Sequence, residues 1–253
     1  MHKLKILCFL AFTVTILAVT ACVPGRVITK KFDFNDFDQI EIGSAFEVKI
    51  SCSSEFSVTV TAGENIFRHL VIEKQGRVLR IMQTGGSSIV WAAKRAEIKL
   101  PEITSLTLSE ASRGELSNFS SSGDLSLNVS GASNLKLTKM ETGNATVVVS
   151  GTSKLEGQLK CGDIDFELSG VSRLELVGSG KATFLKVSGA SSADLADFLT
   201  TSARVNLSGA SNATVKTDGN LDMDLSGASR LYYIGNPTIN TINISGGSTV
   251  QKK

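Results

Sequence analysis

The stretch Val187-Ser188-Gly189-Ala190-Ser191 decides the fold, because versions of it recur eight times along the chain. The copies follow one another at intervals of 18 to 21 residues. Their first serines are Ser109, Ser130, Ser150, Ser169, Ser188, Ser208, Ser226 and Ser245. A fixed period near this length is typical of a solenoid, in which each repeat stacks on the next one.

Alternation of apolar and polar residues surrounds every copy. The residue before the first serine is always aliphatic, and the residue two places earlier is always apolar, as in Val205-Asn206-Leu207. This period of two predicts a short strand with one buried face. A second alternation follows each copy, as in Arg173-Leu174-Glu175-Leu176. Turn dipeptides such as Gly123-Asp124 close the unit, which leaves no room for a helix.

These units predict an all-β fold, a parallel β-helix with about 19–20 residues per coil. Gly follows the first serine in seven copies, where it suits a bend with positive φ or a close backbone approach, and Glu110 replaces it in the first copy. An antiparallel meander is the alternative, although it would not require the same residue types at every equivalent position. Leucine-rich repeats share the length, but their leucine pattern is absent.

The serine columns allow two interpretations. Stacked hydroxyl groups at a tight corner can hydrogen-bond to each other and to nearby backbone. Alternatively, the serines could present a polar strip for a ligand. We favour the first interpretation, because every repeat serine has an explanation in the turn.

The N-terminus predicts export. Residues 1–21 combine a basic start, an apolar run and small residues before Cys22, the arrangement of a lipoprotein signal peptide whose cysteine is lipidated. An ordinary secretory signal with an incidental Cys22 is the alternative. Residues 22–31 are predicted to form a tether between a lipid anchor and the fold, so that the protein would be held at a membrane surface.

Residues 32–100 lack the regular repeat. They are predicted to form an irregular N-terminal β region that caps the solenoid of residues 101–253. We expect strands at 46–50, 56–60 and 96–101, a hairpin over 72–81, a loop at 85–88, and one short helix over 64–70. A cap is expected because an open solenoid end exposes strand edges to other chains.

Charge and cysteine content exclude several function classes. The formal net charge is only +2 and no basic tract occurs, so we expect no nucleic-acid partner. Cys52 and Cys161 remain after the leader and Cys22; their spacing does not match a metal site, and we expect two buried thiols rather than a disulfide. No cofactor motif is present.

Enzymatic chemistry has one candidate pair. Asp165 and Glu167 are predicted to share the exposed face of one strand, about 7 Å apart, which would suit an inverting polysaccharide hydrolase. Asp222 and Asp224 repeat the pattern three coils later. The alternative is that all four solvate an exposed face. His69, the only histidine beyond the leader, has no catalytic partners in the sequence.

A surface for binding is the other candidate. One column after the second serine is partly basic and carries Arg113, Lys154, Arg173 and Arg230, with acidic residues two places further on. Tyr232 could add a stacking platform for a glycan. The alternative is a mixed, solvated surface whose ion pairs contribute little.

Several segments resemble one known family. They include Phe34 to Ile42, Leu79-Arg80-Ile81, Ile98 to Pro101 and the Ser-Gly-Ala-Ser repeats. Together they resemble the head GIN domain family, putative auto-transporter adhesins common in Bacteroidetes lipoproteins, over residues 32–250. The resemblance implies a right-handed β-helix in the cell envelope and supplies no catalytic residues. We therefore expect a non-catalytic lipoprotein, anchored to the outer membrane, that binds a glycan or an envelope protein; a polysaccharide-active enzyme is the alternative.

Overall fold

The computed structural model describes residues 26–84 and 94–253, and these residues form a β-solenoid of about seven turns. Strands make up 64% and helix 2%. The parallel β-helix predicted from the repeats is thereby confirmed. The predicted signal peptide of residues 1–21, Cys22 and the predicted loop at 85–88 lie outside the described residues.

The described residues contain 21 strands and one helical turn, α1 (Glu64–Phe67). The strands are β1 (Val27–Phe32), β2 (Gln39–Ile42), β3 (Glu47–Cys52), β4 (Ser57–Gly63), β5 (Leu70–Gln75), β6 (Val78–Gln83), β7 (Arg95–Leu100), β8 (Ser105–Leu108), β9 (Arg113–Ser117), β10 (Leu125–Val129), β11 (Asn134–Glu141), β12 (Ala145–Val149), β13 (Lys154–Lys160), β14 (Ile164–Leu168), β15 (Arg173–Ser179), β16 (Ala182–Val187), β17 (Ser192–Leu207), β18 (Asn212–Leu225), β19 (Arg230–Ile234), β20 (Thr238–Ile244) and β21 (Thr249–Lys252).

Each coil contributes one strand before its serine bend and one after it. The strands before the bends form the leading sheet, in which β8, β10, β12, β14, β16, the second halves of β17 and β18, and β20 pair in parallel. The strands after the bends form the trailing sheet, which runs from β9 through β11, β13, β15 and the first halves of β17 and β18 to β19 and β21. Equivalent residues therefore stack, and the antiparallel meander is excluded for the repeats.

The core is a set of stacked apolar columns inside the coils. One column consists of Leu127, Val147, Phe166, Leu185, Val205 and Met223, all of them buried. A single coil buries too few side chains to offset the conformational entropy of ordering it. Neighbouring coils share this interior and the hydrogen bonds between strands, so stability belongs to the array.

Glycine is favoured at the bends from the second repeat onward because these successive bends approach closely. Gly151 has φ +74°, and a Cβ placed on it would lie 2.4 Å from the carbonyl oxygen of Gly131. Glu110 occupies the same place in the first repeat and keeps the bend, with φ +54°. Its carboxylate accepts a hydrogen bond of 2.8 Å from the Ser44 hydroxyl.

The second serine of each copy lies inside the corner and forms a ladder. The Ser112 amide donates to the Ser133 hydroxyl, and the Ser133 amide donates to the Ser153 hydroxyl, each at 3.2 Å. The hydroxyls of Ser172 and Ser191 are 3.2 Å apart. Because this column is buried from the first repeat to the seventh, it stabilises the corner and cannot present a polar strip.

The N-terminal region joins the solenoid in a different order from its sequence. Strand β2 pairs in parallel with both β6 and β8, and β3 pairs with both β7 and β9. The coil of β2 and β3 therefore lies between the strands β6 and β7 and the first repeat. Its bend, Gly43-Ser44-Ala45-Phe46, is a ninth copy, with Phe46 in the place of the second serine.

Antiparallel strands close this end, as the cap prediction requires. β4 pairs with β7, β1 with β4, and β5 with β6. Residues 27–31 belong to β1 and so are not part of a tether; their β-branched residues complete the edge beside β4. The helix stops at Phe67 rather than at Leu70, because Leu70 begins the predicted hairpin strand β5.

Candidate functional site

The structure aligns the four basic residues predicted as a binding surface. Arg113, Lys154, Arg173 and Arg230 stand at equivalent register positions on the outer face of the trailing sheet. Asn134, Ser192 and Asn212 fill the remaining places in this column. The next outward column, two residues further along each strand, consists of Glu115, Lys136, Glu156, Glu175, Asp194, Thr214 and Tyr232.

Lys154 is the centre of an ion-pair network between these columns. Its ammonium lies 2.6 Å from a carboxylate oxygen of Glu156 and 2.9 Å from one of Glu175. Arg173 approaches Glu175 at 3.7 Å. The hydrogen bonds to Glu156 and then to Glu175 raise the pKa of Lys154. All four side chains are partly or largely solvent-exposed, so the network orients the charges and adds little stability.

The outer face of the trailing sheet carries two open depressions. One open depression of about 500 Å³ is lined by residues of β11, β13, β15 and β17, and a second of about 420 Å³ by residues of β3, β9, β11 and β13. Both include Lys136 and Glu156, so they are continuous. We call the joined depressions the charged groove. Six stacked strands span it, a length of about 24 Å at ~4.8 Å per strand.

The backbone is irregular along one side of the groove, just past the two outward columns of the trailing sheet. The pairing register shifts between Leu137 and Met140, and again between Glu175 and Val177. Gly157 has φ +134°, and a Cβ on it would lie 2.0 Å from the Leu137 carbonyl oxygen. Such bulges bend a sheet and redirect the side chains beside them. Gly157 lines the groove, and it is a glycine that the repeat pattern does not contain.

Arg230 and Tyr232 lie on the same face but beyond the groove, near the C-terminal end. The ammonium of Lys253 sits 4.4 Å from the centre of the Tyr232 ring, so that one face of this half-buried ring is already occupied by a cation. Tyr233, the next residue, packs against the core.

The groove also includes residues that the sequence patterns did not indicate. Glu47 and Lys49 of β3, together with Lys136, line it. The first two continue the two outward columns, because Glu47 pairs with Arg113 and Lys49 with Glu115. The signal that could have found them is the ninth copy of the bend just before β3.

Asp165 and Glu167 lie on the outer face of the leading sheet, away from the groove. Both are exposed, and Glu167 accepts a hydrogen bond of 2.9 Å from the Lys186 ammonium in the next coil. Asp165 stands between Thr146 and Phe184. Glu167 is thus held by a surface ion pair, an arrangement expected of a solvated strand face.

Other candidates for chemistry have structural explanations. The His69 amide donates to Ile66, and its carbonyl accepts from Thr84, so its backbone closes the turn after α1. Within residues 26–84 and 94–253, no cluster of three or more His, Cys, Asp or Glu side chains could hold a metal ion. Over the same ranges, no helix has the length and hydrophobicity required to cross a membrane.

The two cysteines of the described chain are free, but only one is partly buried. Cys52 is exposed at the end of β3, so the expectation of a buried thiol is wrong there; the inward alternation of β3 ends at Ile50. Burial, with a smaller contribution from Asp163, raises the pKa of the Cys161 thiol to about 11.

Fold and surface together define a β-solenoid whose interior is apolar and whose repeats carry their charged residues on the outer faces of the sheets. Comparison with protein families gives a match over residues 36–237 to the family described as putative auto-transporter adhesin, head GIN domain. The chain belongs to this family. No curated protein matches it.

Solved structures of low sequence identity share the fold. A putative lipid binding protein from Parabacteroides distasonis superposes with a TM-score of 0.85 at 18% identity, covering 90% of this chain and 97% of the other. A putative adhesin from Parabacteroides merdae gives 0.81 at 18% identity, with 90% and 97% covered. A putative adhesin from Bacteroides fragilis gives 0.70 at 14% identity, with 91% and 99% covered.

Proposed function

We propose that this protein is a non-catalytic lipoprotein of the cell envelope that uses the charged groove to bind an extended ligand. The observation that carries the proposal is the stacking of alternating charges, centred on Lys154, into one continuous depression along the solenoid axis. A polymer lying along the axis would meet charged side chains at intervals of about 4.8 Å.

The names of the family and of the similar structures support an adhesion-type role in the envelope. One of those structures is described as a lipid binding protein instead. In this chain, buried aliphatic side chains occupy the inward positions of the repeats, which leaves the outer faces for a ligand. We therefore place binding outside the solenoid, with a glycan or an envelope protein as the partner.

Anchoring is the second part of the proposal. Lipidation of Cys22 would hold the solenoid at the outer membrane. The apolar run and the small residues that precede this cysteine support its lipidation. The first described strand begins at Val27, so a lipidated Cys22 would lie within a few residues of the capped end. The C-terminal end of the solenoid would then point away from the bilayer.

The test is a glycan array and an envelope-protein pull-down with the purified chain, compared with the double variant Lys154→Ala, Lys136→Ala. Both residues are exposed or half-buried, so the variant should remain folded. Lys186→Ala, on the outer face of the leading sheet, is the matched control. We expect the parent and the control to bind the same ligand and the double variant to lose at least about tenfold in affinity, the loss typical of two truncated charged contacts. Equal binding by all three proteins would remove the groove from the proposal.

A further inference from the structure

The C-terminal end of the solenoid has no cap in the described residues, in contrast to the N-terminal end. β20 pairs only with β18, and β21 only with β19. Both sheets therefore finish on strands whose outer edges carry backbone N–H and C=O groups without a neighbouring strand. Such an edge is a template for adding another strand.

The apolar columns continue to this end and are left open there. Ile239, Ile242 and Ile244 extend the inward columns of Leu221, Met223 and Leu225. The three isoleucines are 38%, 54% and 46% exposed, whereas the three residues beneath them are at most 1% exposed. Val250 and Tyr233 add partly buried apolar surface on the trailing side. The apolar core is therefore exposed to solvent at the C-terminal end of the solenoid.

β20 is the edge strand of the leading sheet, and its residues are uncharged. β20 has the sequence Thr-Ile-Asn-Thr-Ile-Asn-Ile, without a charged residue or a proline. A register shift falls between Ile239 and Thr241, which leaves 241–244 as a regular run. Natural edge strands commonly carry a lysine, a proline or an inward charge that prevents association. In the regular run 241–244, polar side chains point outward and isoleucine side chains point inward.

We propose that this end is an interface with a second copy of the same chain, joined end to end about a two-fold axis. The same end of a second copy offers an equally uncharged β20 edge and an equally open core, so these parts of the two surfaces complement each other. Lys252 on the other edge strand, β21, is held by a hydrogen bond to Asn236 of its own chain. Antiparallel pairing that keeps isoleucines inward places the axis near Ile242 or Asn243. The inference is independent of the charged groove.

The asymmetry between the two ends sets the size of the assembly. The N-terminal end is covered by the antiparallel strands β1, β4 and β5, so head-to-tail stacking into filaments is blocked there. An isologous contact between the two open ends uses both and closes at a dimer. Since the contact would involve a single coil of each copy, we expect it to bury less than the roughly 800 Å² per partner of a standard interface and to give a weak dimer in the micromolar range.

The first experiment is sedimentation equilibrium of the full chain in detergent over about 1–100 μM, the range appropriate to such an interface. We expect a reversible monomer–dimer equilibrium with no larger species. Ile242→Lys should weaken the dimer about tenfold or more by placing a charge at the edge. Val171→Lys, which replaces an equally exposed aliphatic residue on a bend in the middle of the array, should leave the dimer unchanged. Thermal unfolding of both variants by circular dichroism verifies that they are folded.

The second experiment tests whether the two copies meet at their C-terminal ends. Asn243→Cys, in a Cys52→Ser background, should be joined to its copy by a short bis-maleimide cross-linker in intact cells. Asn128→Cys occupies the same outward column on β10, in the middle of the leading sheet, and should not be joined. A chain that stays monomeric up to about 100 μM, a dimer indifferent to Ile242→Lys, or equal cross-linking at Asn128 and Asn243 would each overturn the proposal.

Discussion

Replacing Gly151 by alanine tests the physical basis of the repeat. The backbone of Gly151 is left-handed, with φ +74°, and a Cβ there would lie 2.4 Å from the carbonyl oxygen of Gly131 in the preceding coil. That same oxygen accepts a hydrogen bond of 2.8 Å from the Thr152 amide. The added methyl group therefore meets a backbone atom that is already fixed by an inter-coil hydrogen bond.

Three costs combine in this variant. An alanine in the left-handed conformation loses roughly 1–2 kcal/mol relative to glycine. Moving two coils apart to admit the methyl group costs about 1–3 kcal/mol, as overpacking does in a core. Weakening the hydrogen bond from Thr152 adds about 0.5–1.5 kcal/mol. We expect Gly151→Ala to lower the free energy of unfolding by about 3–5 kcal/mol, and Tm by about 10 °C or more in a domain of this size.

Gly76→Ala is the matched control. Gly76 is also left-handed, with φ +58°, but nothing lies within 4 Å of a Cβ placed on it. It should lose only the conformational cost of roughly 1–2 kcal/mol. Urea and thermal unfolding followed by circular dichroism measure both variants. Equal losses at the two positions would refute the reasoning, because backbone conformation alone would then explain the glycines and close stacking of the bends would not.

Further predictions concern the serine ladder, the thiols and the anchor. Ser191→Ala should cost about 1–3 kcal/mol in urea unfolding, since it leaves a buried amide without its partner, whereas the half-buried Ser188→Ala should cost less than about 1 kcal/mol. Cys161, whose raised pKa of about 11 keeps it protonated, should react with a thiol reagent far more slowly at pH 8 than the exposed Cys52, and its rate should rise as the pH approaches 11; equal rates for the two single-cysteine variants would contradict this. Folding stabilises the protonated form of this thiol, so the stability it contributes is complete below its unfolded pKa and is lost as the pH rises toward 11. Cys22→Ser should shift the protein from the membrane fraction to the soluble fraction and abolish incorporation of labelled palmitate, and an unchanged distribution would remove the anchor from the proposal.

The sequence alone was sufficient to predict the fold of the repeats, because the same local pattern occurs eight times. Alternation of apolar and polar residues fixes which face of each strand is buried, whatever strand lies beside it. A near-constant interval then places like residues at like positions in every coil. For the same reason the outward column of Arg113, Lys154, Arg173 and Arg230 could be predicted residue by residue.

The N-terminal coils show where this reasoning fails. Strands β2 and β6 alternate as the repeats do, yet their sequences do not specify that β2 is inserted between β6 and β8. A strand with alternating residues can pair with any strand that presents the same apolar face. Which strand it pairs with depends on the connections that the intervening residues can form. The assignment of residues 27–31 to a tether failed likewise, since a short edge strand is held mainly by its partner β4.

The sequence by itself determined a stacked β-solenoid with an apolar interior, and only the tertiary structure decided where that regularity is broken. Beside the groove the register of the trailing sheet shifts between Glu175 and Val177, and Gly157 approaches the preceding coil closely. The repeat pattern specifies neither feature, because both depend on contacts between coils. The open C-terminal end exists because the strands that close the other end come from residues 27–75 and pair there. Local pattern fixes the repeated unit, whereas long-range pairing fixes its ends and its irregularities.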